Sequence, residues 1–136
     1  MAAVRYLADT SVLLDFIGRR IKSQSDTLEQ ALRQQQVVGI SAAILRETLQ
    51  GARDASAFEA LRARLVRLPM FEPSDIYNSR VSAALIYARL RWRGHTVRSS
   101  VDCLIALTAI EHDLVLLHDD RDFEAIASIE PRLKLA

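Results

Sequence analysis

Short apolar segments alternate with longer helical patterns along this 136-residue chain, and the alternation limits the folds that it can adopt. The predicted strands cover residues 4–8, 37–40, 114–117 and 133–135, with one more short strand at 65–68. The predicted helices cover residues 10–17, 25–35, 42–52, 54–67, 76–92, 101–111 and 123–127. Buried strands separated by helices are typical of parallel sheets. We therefore predict an α/β fold, one domain over residues 1–136, with a central parallel sheet of four to five strands flanked by helices on both faces.

Composition excludes several classes of protein. The sequence contains no run of 18 apolar residues, so we expect no transmembrane helix and no membrane partner. Asp9 interrupts the N-terminal segment before the apolar region of a signal peptide could be completed, so we expect no signal peptide. Cys103 is the single cysteine, which favours a reducing, cytoplasmic location. Three scattered histidines and this cysteine do not form the pattern of a zinc site.

Charge is unevenly distributed, although the net charge is only +1. Residues 62–98 carry eight arginines against two acids, and residues 99–136 carry eight acids against three basic residues. A basic block beside an acidic one suits a protein that holds a polyanion on one surface and a metal ion on another. Solvent-exposed helix faces are the alternative explanation. The preference for arginine over lysine favours phosphate recognition, because a guanidinium group matches the geometry of phosphate oxygens.

Acidic residues follow two of the predicted strands. Asp9 ends the first strand, and Asp119 and Asp120 follow the apolar run at 115–117. Because right-handed crossovers place the carboxyl ends of parallel strands on one edge, we expect these acids to lie together. Like charges at short range raise one another's pKa unless a cation lies among them. The pattern therefore predicts a cation at this edge of the sheet.

Asp102 and Glu47 are further candidates, each with an alternative interpretation. Asp102 begins the helix SVDCLIALTAI, which is apolar nearly all round, and lies on the same face as Ile105, Ala106 and Ala109. The alternative is a first-turn acid that is favoured by the helix dipole. Glu47 lies off the apolar stripe of its helix, and the pattern alone favours a solvent-exposed glutamate.

The remaining acids have mainly structural interpretations. Asp122 directly precedes Phe123, and we predict that it caps the last helix rather than binding metal. Asp15 follows an apolar run in the first helix, where a surface position and a place in the site both remain open. Caps or turns are predicted for four other acids: Asp26, Asp54, Asp75 and Asp113.

Carboxylates that converge without histidine or cysteine are the usual ligands of a hard divalent cation such as Mg²⁺ or Mn²⁺. Such a site typically serves in-line attack of a metal-activated water on a phosphodiester. The sequence contains no GxSxG motif, and Cys103 within an apolar helix is expected to be an inert core thiol. These residues therefore predict a metal-dependent hydrolase.

Four elements, taken in order, resemble those of the PIN domain family. YLADTSVLLDF is similar to the opening of a PIN domain, in which the first strand delivers Asp-Thr-Ser to the active site. ISAAILRETLQGA resembles the second element, a helix whose glutamate precedes a glycine by four residues. VRSSVDCLIALTAIEHDLVLLHDDRDFEAIA resembles the third and fourth elements, which end in an Asp-x-Asp-Phe signature. The resemblance covers essentially the whole chain.

The resemblance implies roles for individual residues. Asp9, Glu47, Asp102 and Asp120 match the family's acidic quartet, which implies that they are the catalytic and metal-binding residues. Asp9 and Asp102 would be the principal ligands of Mg²⁺, for which Mn²⁺ is a plausible substitute. Glu47 and Asp120 would complete the shell, hold metal-bound water or ligate a second ion.

Three further positions are candidates for substrate binding. Thr10 and Ser11 match family positions whose hydroxyl and backbone lie close to the metal. Arg98, four residues before the third acid, is a candidate phosphate contact because of its placement. His118 stands where many members have Thr or Ser, and we expect it either to contribute a hydrogen bond near Asp120 or to cap the strand.

The compact, single-domain size of this chain resembles that of the VapC-type toxins of bacterial toxin–antitoxin systems. The resemblance implies a Mg²⁺-dependent endoribonuclease that cuts RNA, forms a homodimer and is silenced by a cognate VapB-like antitoxin, within a larger toxin–antitoxin assembly. Antitoxins of this kind insert an arginine or lysine into the acidic pocket and often occupy a groove between the helices that follow the first strand.

Two other functions are considered. The first is a housekeeping PIN-like nuclease that acts on RNA or DNA without an antitoxin. The second is a non-enzymatic, Mg²⁺-binding receiver-like domain, which needs paired acids early in the chain and a lysine just after the last strand. Glu47 on a helix and Lys134 inside the last predicted strand disfavour that fold. The sequence leaves open which RNA is cut and whether one metal ion or two bind.

Overall fold

Four short strands form a parallel sheet at the centre of the computed structural model, which describes residues 3–136. Met1 and Ala2, which belong to the predicted domain over 1–136, lie outside the described residues. The strands are β1 Tyr6–Ala8, β2 Val38–Gly39, β3 Val115–Leu117 and β4 Lys134–Leu135. They lie in the order β2-β1-β3-β4, and every pair is parallel. The predicted parallel sheet is therefore confirmed, with four strands among these residues.

Seven helices formed by residues 3–136 surround the sheet. They are α1 Thr10–Ile17, α2 Ser23–Arg33, α3 Ala42–Gln50, α4 Ala55–Leu65, α5 Ile76–Trp92, α6 Val101–Glu111 and α7 Arg121–Ile129. Helix α1 contacts α2 and α3, and α3 contacts α4, whereas α5, α6 and α7 contact one another. None of these helices has both the length and the apolar character that crossing a lipid bilayer requires.

The strand predicted at residues 65–68 is wrong. Leu65 is the last residue of α4, and residues 66–68 form a turn. Leu65 is buried and Leu68 packs against the core, a spacing that continues the apolar face of the helix rather than a strand. The chain pairs with the sheet only beyond this turn, where Met70 forms an isolated parallel bridge with Ile40.

Glycine is required at one point of this connection. A Cβ atom on Gly39 in β2 would overlap the ring of Phe71, and it would lie 2.9 Å from the backbone oxygen of Pro69. The absence of a side chain lets the segment after α4 approach the sheet, where the amide of Ile40 donates to the Pro69 oxygen at 3.0 Å.

The core lies between the sheet and its helices. Leu7, Leu116 and Leu117 on the central strands are completely buried, as are Phe123 of α7 and Ile40 beside β2. Burying one such side chain stabilises the fold by roughly 2 kcal/mol. This packing fixes β1 against β3, and it therefore fixes the relative position of the residues that follow these two strands.

The direction of the crossovers reverses between the two central strands. From β1 the chain moves outward to β2, whereas from β3 it moves to β4 on the other side. Because parallel crossovers are right-handed, this reversal places α1 and α2 on one face and α7 on the other, and it opens a crevice at the carboxyl ends of β1 and β3. The amide of Asp9 donates to the backbone oxygen of Leu117 at 3.0 Å, and this hydrogen bond joins the ends of β1 and β3 at the crevice.

Candidate metal centre

Asp9 follows β1 directly and occupies the N-cap position of α1. Its Oδ2 accepts a hydrogen bond from the Ser11 hydroxyl at 2.9 Å and a longer one from the Ser11 amide at 3.4 Å. The carboxylate belongs to a buried residue that is 7% exposed. Burial raises the pKa of Asp9 above its ordinary value of 3.8, and the hydrogen bonds from Ser11 offset this only in part.

Asp102 is the second residue of α6, and it is also only 7% exposed. Burial raises the pKa of its carboxyl to about 7, and the negative charges of Asp9, Asp120, Glu47 and Asp122 add to the effect. The described part of the chain supplies no hydrogen bond to this carboxylate. A buried acid surrounded by acids is unfavourable unless a cation compensates the charge, so the alternative of a simple first-turn acid does not explain Asp102.

Glu47 lies on α3 and reaches the same edge from the other side of β1. The Thr10 hydroxyl lies 3.5 Å from Oε2 of Glu47, and the Thr48 hydroxyl lies 3.4 Å from that of Thr10. Glu47 is half-buried rather than fully exposed. Glu47 is therefore less exposed than the helical pattern alone favours, and its place in the acidic quartet stays a prediction of the family resemblance.

Asp120 provides the N-cap of α7, where its Oδ1 accepts from the amide of Asp122 at 2.9 Å. The same oxygen accepts from Nη2 of Arg98 at 2.7 Å. Arg98 therefore contacts an acid of the proposed quartet directly. A phosphate at this edge would meet a guanidinium group that is already held beside the carboxylates.

The prediction that Asp122 caps the last helix is wrong. Asp120 takes that position, and Asp122 lies inside the first turn of α7, where it is 5% exposed. Its Oδ1 lies 3.1 Å from Nε2 of His95, and its Oδ2 accepts from the Arg98 amide at 2.9 Å. Burial alone would raise the pKa of Asp122, but hydrogen bonds from Arg98 and His95 lower it below the ordinary value.

The position of Asp122 could not be inferred from helical periodicity. Its partners come from the segment between α5 and α6, which Gly94 turns back with a φ of 89° after the end of α5. The signal in the sequence was the Asp-x-Asp-Phe spacing, which places Asp122 two residues after the capping Asp120 and therefore in the first turn of α7.

His118 and Asp119 complete the end of β3. The imidazole Nδ1 of His118 lies 3.2 Å from the amide of Asp120, and the residue is 8% exposed. This contact agrees with the expected hydrogen bond near Asp120. The Ser11 hydroxyl lies 3.3 Å from the amide of Asp119, so one serine contacts the residues that follow both central strands.

Asp15, for which a surface position and a site position were both open, has neither role. It is buried in α1 and pairs with Arg20 at 2.7 Å and with Lys22 at 3.3 Å. Lys22 also reaches Asp119 at 3.1 Å. The charge of Asp15 is therefore compensated within the chain, whereas the charge of Asp102 is not.

The arrangement fits a hard divalent cation. Asp102, Asp120 and Asp122 each place one carboxylate oxygen within 4.8 Å of the others. Asp9 and Glu47 lie close enough for their negative charges to raise the pKa of Asp102. Oxygen donors without nitrogen or sulfur suit Mg²⁺ or Mn²⁺. A cleft of about 700 Å³, whose lining includes Arg98, Asp120 and Asp122, opens beside these acids.

Comparisons with known proteins define the class to which this fold and site belong. The sequence model described as the PIN domain matches residues 6–129. The chain is 35% identical over 128 residues to ribonuclease VapC11 of Mycobacterium tuberculosis, covering 94% of this chain and 88% of that relative. The chain therefore belongs to the PIN domain family and, within that family, to the VapC ribonucleases.

Solved structures show the same fold at lower identity. The VapBC2 complex from Rickettsia felis, solved with a fragment of promoter DNA, matches with a TM-score of 0.74 at 21% identity, over 98% of both chains. VapBC-1 from nontypeable Haemophilus influenzae matches with a TM-score of 0.72 at 19% identity, over 98% of this chain and 97% of that one. These likenesses confirm the predicted α/β architecture.

Proposed function

We propose that residues 1–136 act as a single PIN-like nuclease domain, a Mg²⁺-dependent endoribonuclease that is the toxin of a VapBC-like toxin–antitoxin system in the cytoplasm. The observation that carries this proposal is the meeting of acids from four separate elements at the crevice between β1 and β3. The names of the curated relatives support RNA as the substrate class. The names of the structural neighbours support an antitoxin partner.

The four acids have different roles at the site. Asp9 and Asp102 are the principal ligands, because both are buried and both have a raised pKa that a cation would lower. Asp120 and Glu47 complete the shell from α7 and α3. A divalent cation bound there supplies Lewis-acid activation of water for in-line attack on a phosphodiester. The conformation of Asp9 is held by Ser11, and that of Glu47 by Thr10.

An exposed apolar stripe on α5 supports a homodimer. Tyr77, Val81, Leu85 and Trp92 lie within about 80° of one another around the helix, and each is at least 50% exposed. The helical pattern alone did not reveal this stripe, because α5 also has a buried face formed by other apolar residues. A second copy of the chain is the occupant that we propose, since one surface can serve both subunits of a symmetric dimer.

A groove between α1, α2 and α4 supports binding of the antitoxin. It has a volume of about 270 Å³, and its apolar lining includes Leu13, Phe16 and Leu28. Arg64 and Arg67 also line this groove, and the Arg64 guanidinium lies 5.8 Å from the centre of the Phe16 ring. An amphipathic segment with apolar anchors fits such a groove. A basic side chain of the same antitoxin would find compensating charge at Asp102 and its neighbours.

Induced expression in a bacterial host tests the toxin function. Wild-type protein and Asp9→Asn would be compared, with total RNA taken early and new 5′ ends mapped. We expect growth arrest and discrete new ends with wild type, and neither with Asp9→Asn at equal protein level. New ends without arrest would favour the housekeeping nuclease. Neither arrest nor new ends from wild type would contradict the proposal.

A further inference from the structure

Arg98 lies against two of the clustered acids at once. Its Nη2 donates to Oδ1 of Asp120 at 2.7 Å, and its Nε lies 3.5 Å from Oδ2 of Asp122. Both carboxylates belong to the group whose oxygens fall within 4.8 Å of one another. The guanidinium is therefore placed where a cation would otherwise bridge Asp120 and Asp122.

The oxygens of Asp122 are both engaged. Oδ1 faces the imidazole of His95 at 3.1 Å, and Oδ2 accepts from the amide of Arg98 at 2.9 Å. A metal ion that bridged Asp120 and Asp122 would have to displace the Arg98 guanidinium, because that group contacts both carboxylates. Asp122 thus serves to position Arg98 and His95.

Other oxygens in the cluster are free to bind a cation. The described residues donate hydrogen bonds to Oδ2 of Asp9 and to Oδ1 of Asp120, which leaves the second oxygen of each. Both oxygens of Asp102 are without a donor from these residues. Oxygens without a donor therefore remain on Asp9, Glu47, Asp102 and Asp120, whereas the position between Asp120 and Asp122 is taken by the Arg98 side chain.

We propose that the Arg98 guanidinium takes the place of a second metal ion, so that the site binds a single divalent cation. The proposal rests on the proposed function, because it concerns the same acidic centre. A fixed guanidinium beside Asp120 compensates the charge that a second cation would otherwise meet. The side chain of Arg98 is 75% exposed, so the group that is held by the two acids also remains accessible to a phosphate oxygen.

Metal stoichiometry tests this proposal without any measurement of activity. Mn²⁺ would be titrated into the purified full chain, and the free ion followed by electron paramagnetic resonance. We expect one Mn²⁺ per chain for wild type and two for Arg98→Ala, the second with a weaker affinity. Arg93→Ala removes an exposed arginine five positions earlier and serves as the matched control, with one ion expected. Arg98→Gln provides a second variant, and circular dichroism checks the fold of each.

The outcomes separate this proposal from the proposed function. Two ions bound by wild type, or one ion bound by a folded Arg98→Ala and Arg98→Gln, would overturn the role of Arg98 and leave the metal centre intact. No binding of Mn²⁺ by wild type at millimolar concentration would overturn the metal centre itself, and the role of Arg98 with it.

Discussion

The hydroxyl of Ser11 donates to Oδ2 of Asp9 at 2.9 Å and also lies 3.3 Å from the amide of Asp119. One small side chain thus connects the residues that follow β1 and β3, the two central strands. This contact links the packing of the sheet to the position of Asp9, one of the two principal metal ligands that we propose.

Replacing Ser11 is expected to affect catalysis more than folding. Ser11→Ala leaves Asp9 without its strongest hydrogen bond, which costs about 1 kcal/mol of the free energy of unfolding. We expect cleavage of RNA to slow by about tenfold, because a misoriented ligand weakens the site by roughly 1.4 kcal/mol. Ser11→Thr retains the hydroxyl and serves as the control. Equal rates for wild type and Ser11→Ala would show that Asp9 needs no such support.

The pKa of Asp102 predicts how stability depends on pH. In the metal-free protein this pKa is raised to about 7 from an ordinary 3.8, so the folded state retains a proton that the unfolded state loses between these values. The free energy of unfolding should therefore fall as the pH rises from about 4 to about 7, and change little above that. Asp102→Asn removes this loss. At pH 8 the variant should therefore have a higher melting temperature than wild type, and at pH 4 the difference between the two should be much smaller.

Thermal melts in the presence of a chelator measure this effect. Each kcal/mol by which Asp102→Asn increases the free energy of unfolding should raise the melting temperature by about 4 °C for a chain of this size. Asp26→Asn, which changes an exposed acid of α2, is the matched control and should follow wild type at every pH. A wild-type protein whose stability increases between pH 4 and pH 7 relative to Asp102→Asn would contradict the account.

The basic end of α5 is expected to bind RNA phosphates. Arg91 and Arg93 are exposed. Arg89 pairs with Glu130 at 3.7 Å, so its charge is already partly compensated within the chain. We expect Arg91→Gln with Arg93→Gln to weaken binding and to reduce the slope of log K against log salt by about 1.4, if each contacts one phosphate. Filter binding with a variant that cannot cleave would measure this, and Arg89→Gln is the control. An unchanged slope would indicate a solvent-exposed face without contact to RNA.

The apolar stripe on α5 predicts the oligomeric state. Leu85→Asp places a charge at the middle of the stripe, and we expect it to convert a dimer into a monomer because an unpaired buried charge opposes association. Light scattering after size-exclusion chromatography would show the change in mass. Val66→Asp, at a residue that is 77% exposed after α4, is the control. A dimer that persists in Leu85→Asp would place the interface elsewhere.

Local chemistry explains why part of the site was predictable. Asp9 and Asp120 follow apolar strands, and the rule that parallel strands end on one edge is enough to bring them together. Asp102 was identified because an acid on the apolar face of a buried helix is difficult to explain otherwise. Glu47 needed the family resemblance, since the helical pattern of α3 favours an exposed side chain at that position.

Features that depend on tertiary contacts were not predictable in this way. The buried position of Asp122 depends on how the segment between α5 and α6 folds back over α7. The apolar residues 65–68 fit a strand as well as the end of a helix, and packing of Leu65 into the core decides for the helix. Both faces of α5 carry apolar residues, and only packing against α6 and α7 determines which of the two is buried.

Cleavage of RNA by purified protein tests the central claim most directly. Wild type and Asp9→Asn would be incubated with total RNA in Mg²⁺, and again after chelation, with circular dichroism to confirm that both are folded. The account predicts discrete cleavage by wild type only when Mg²⁺ is present, and none by Asp9→Asn in either condition. Cleavage by folded Asp9→Asn at the wild-type rate, or cleavage by wild type that is unchanged by chelation, would contradict the assignment of this acidic centre.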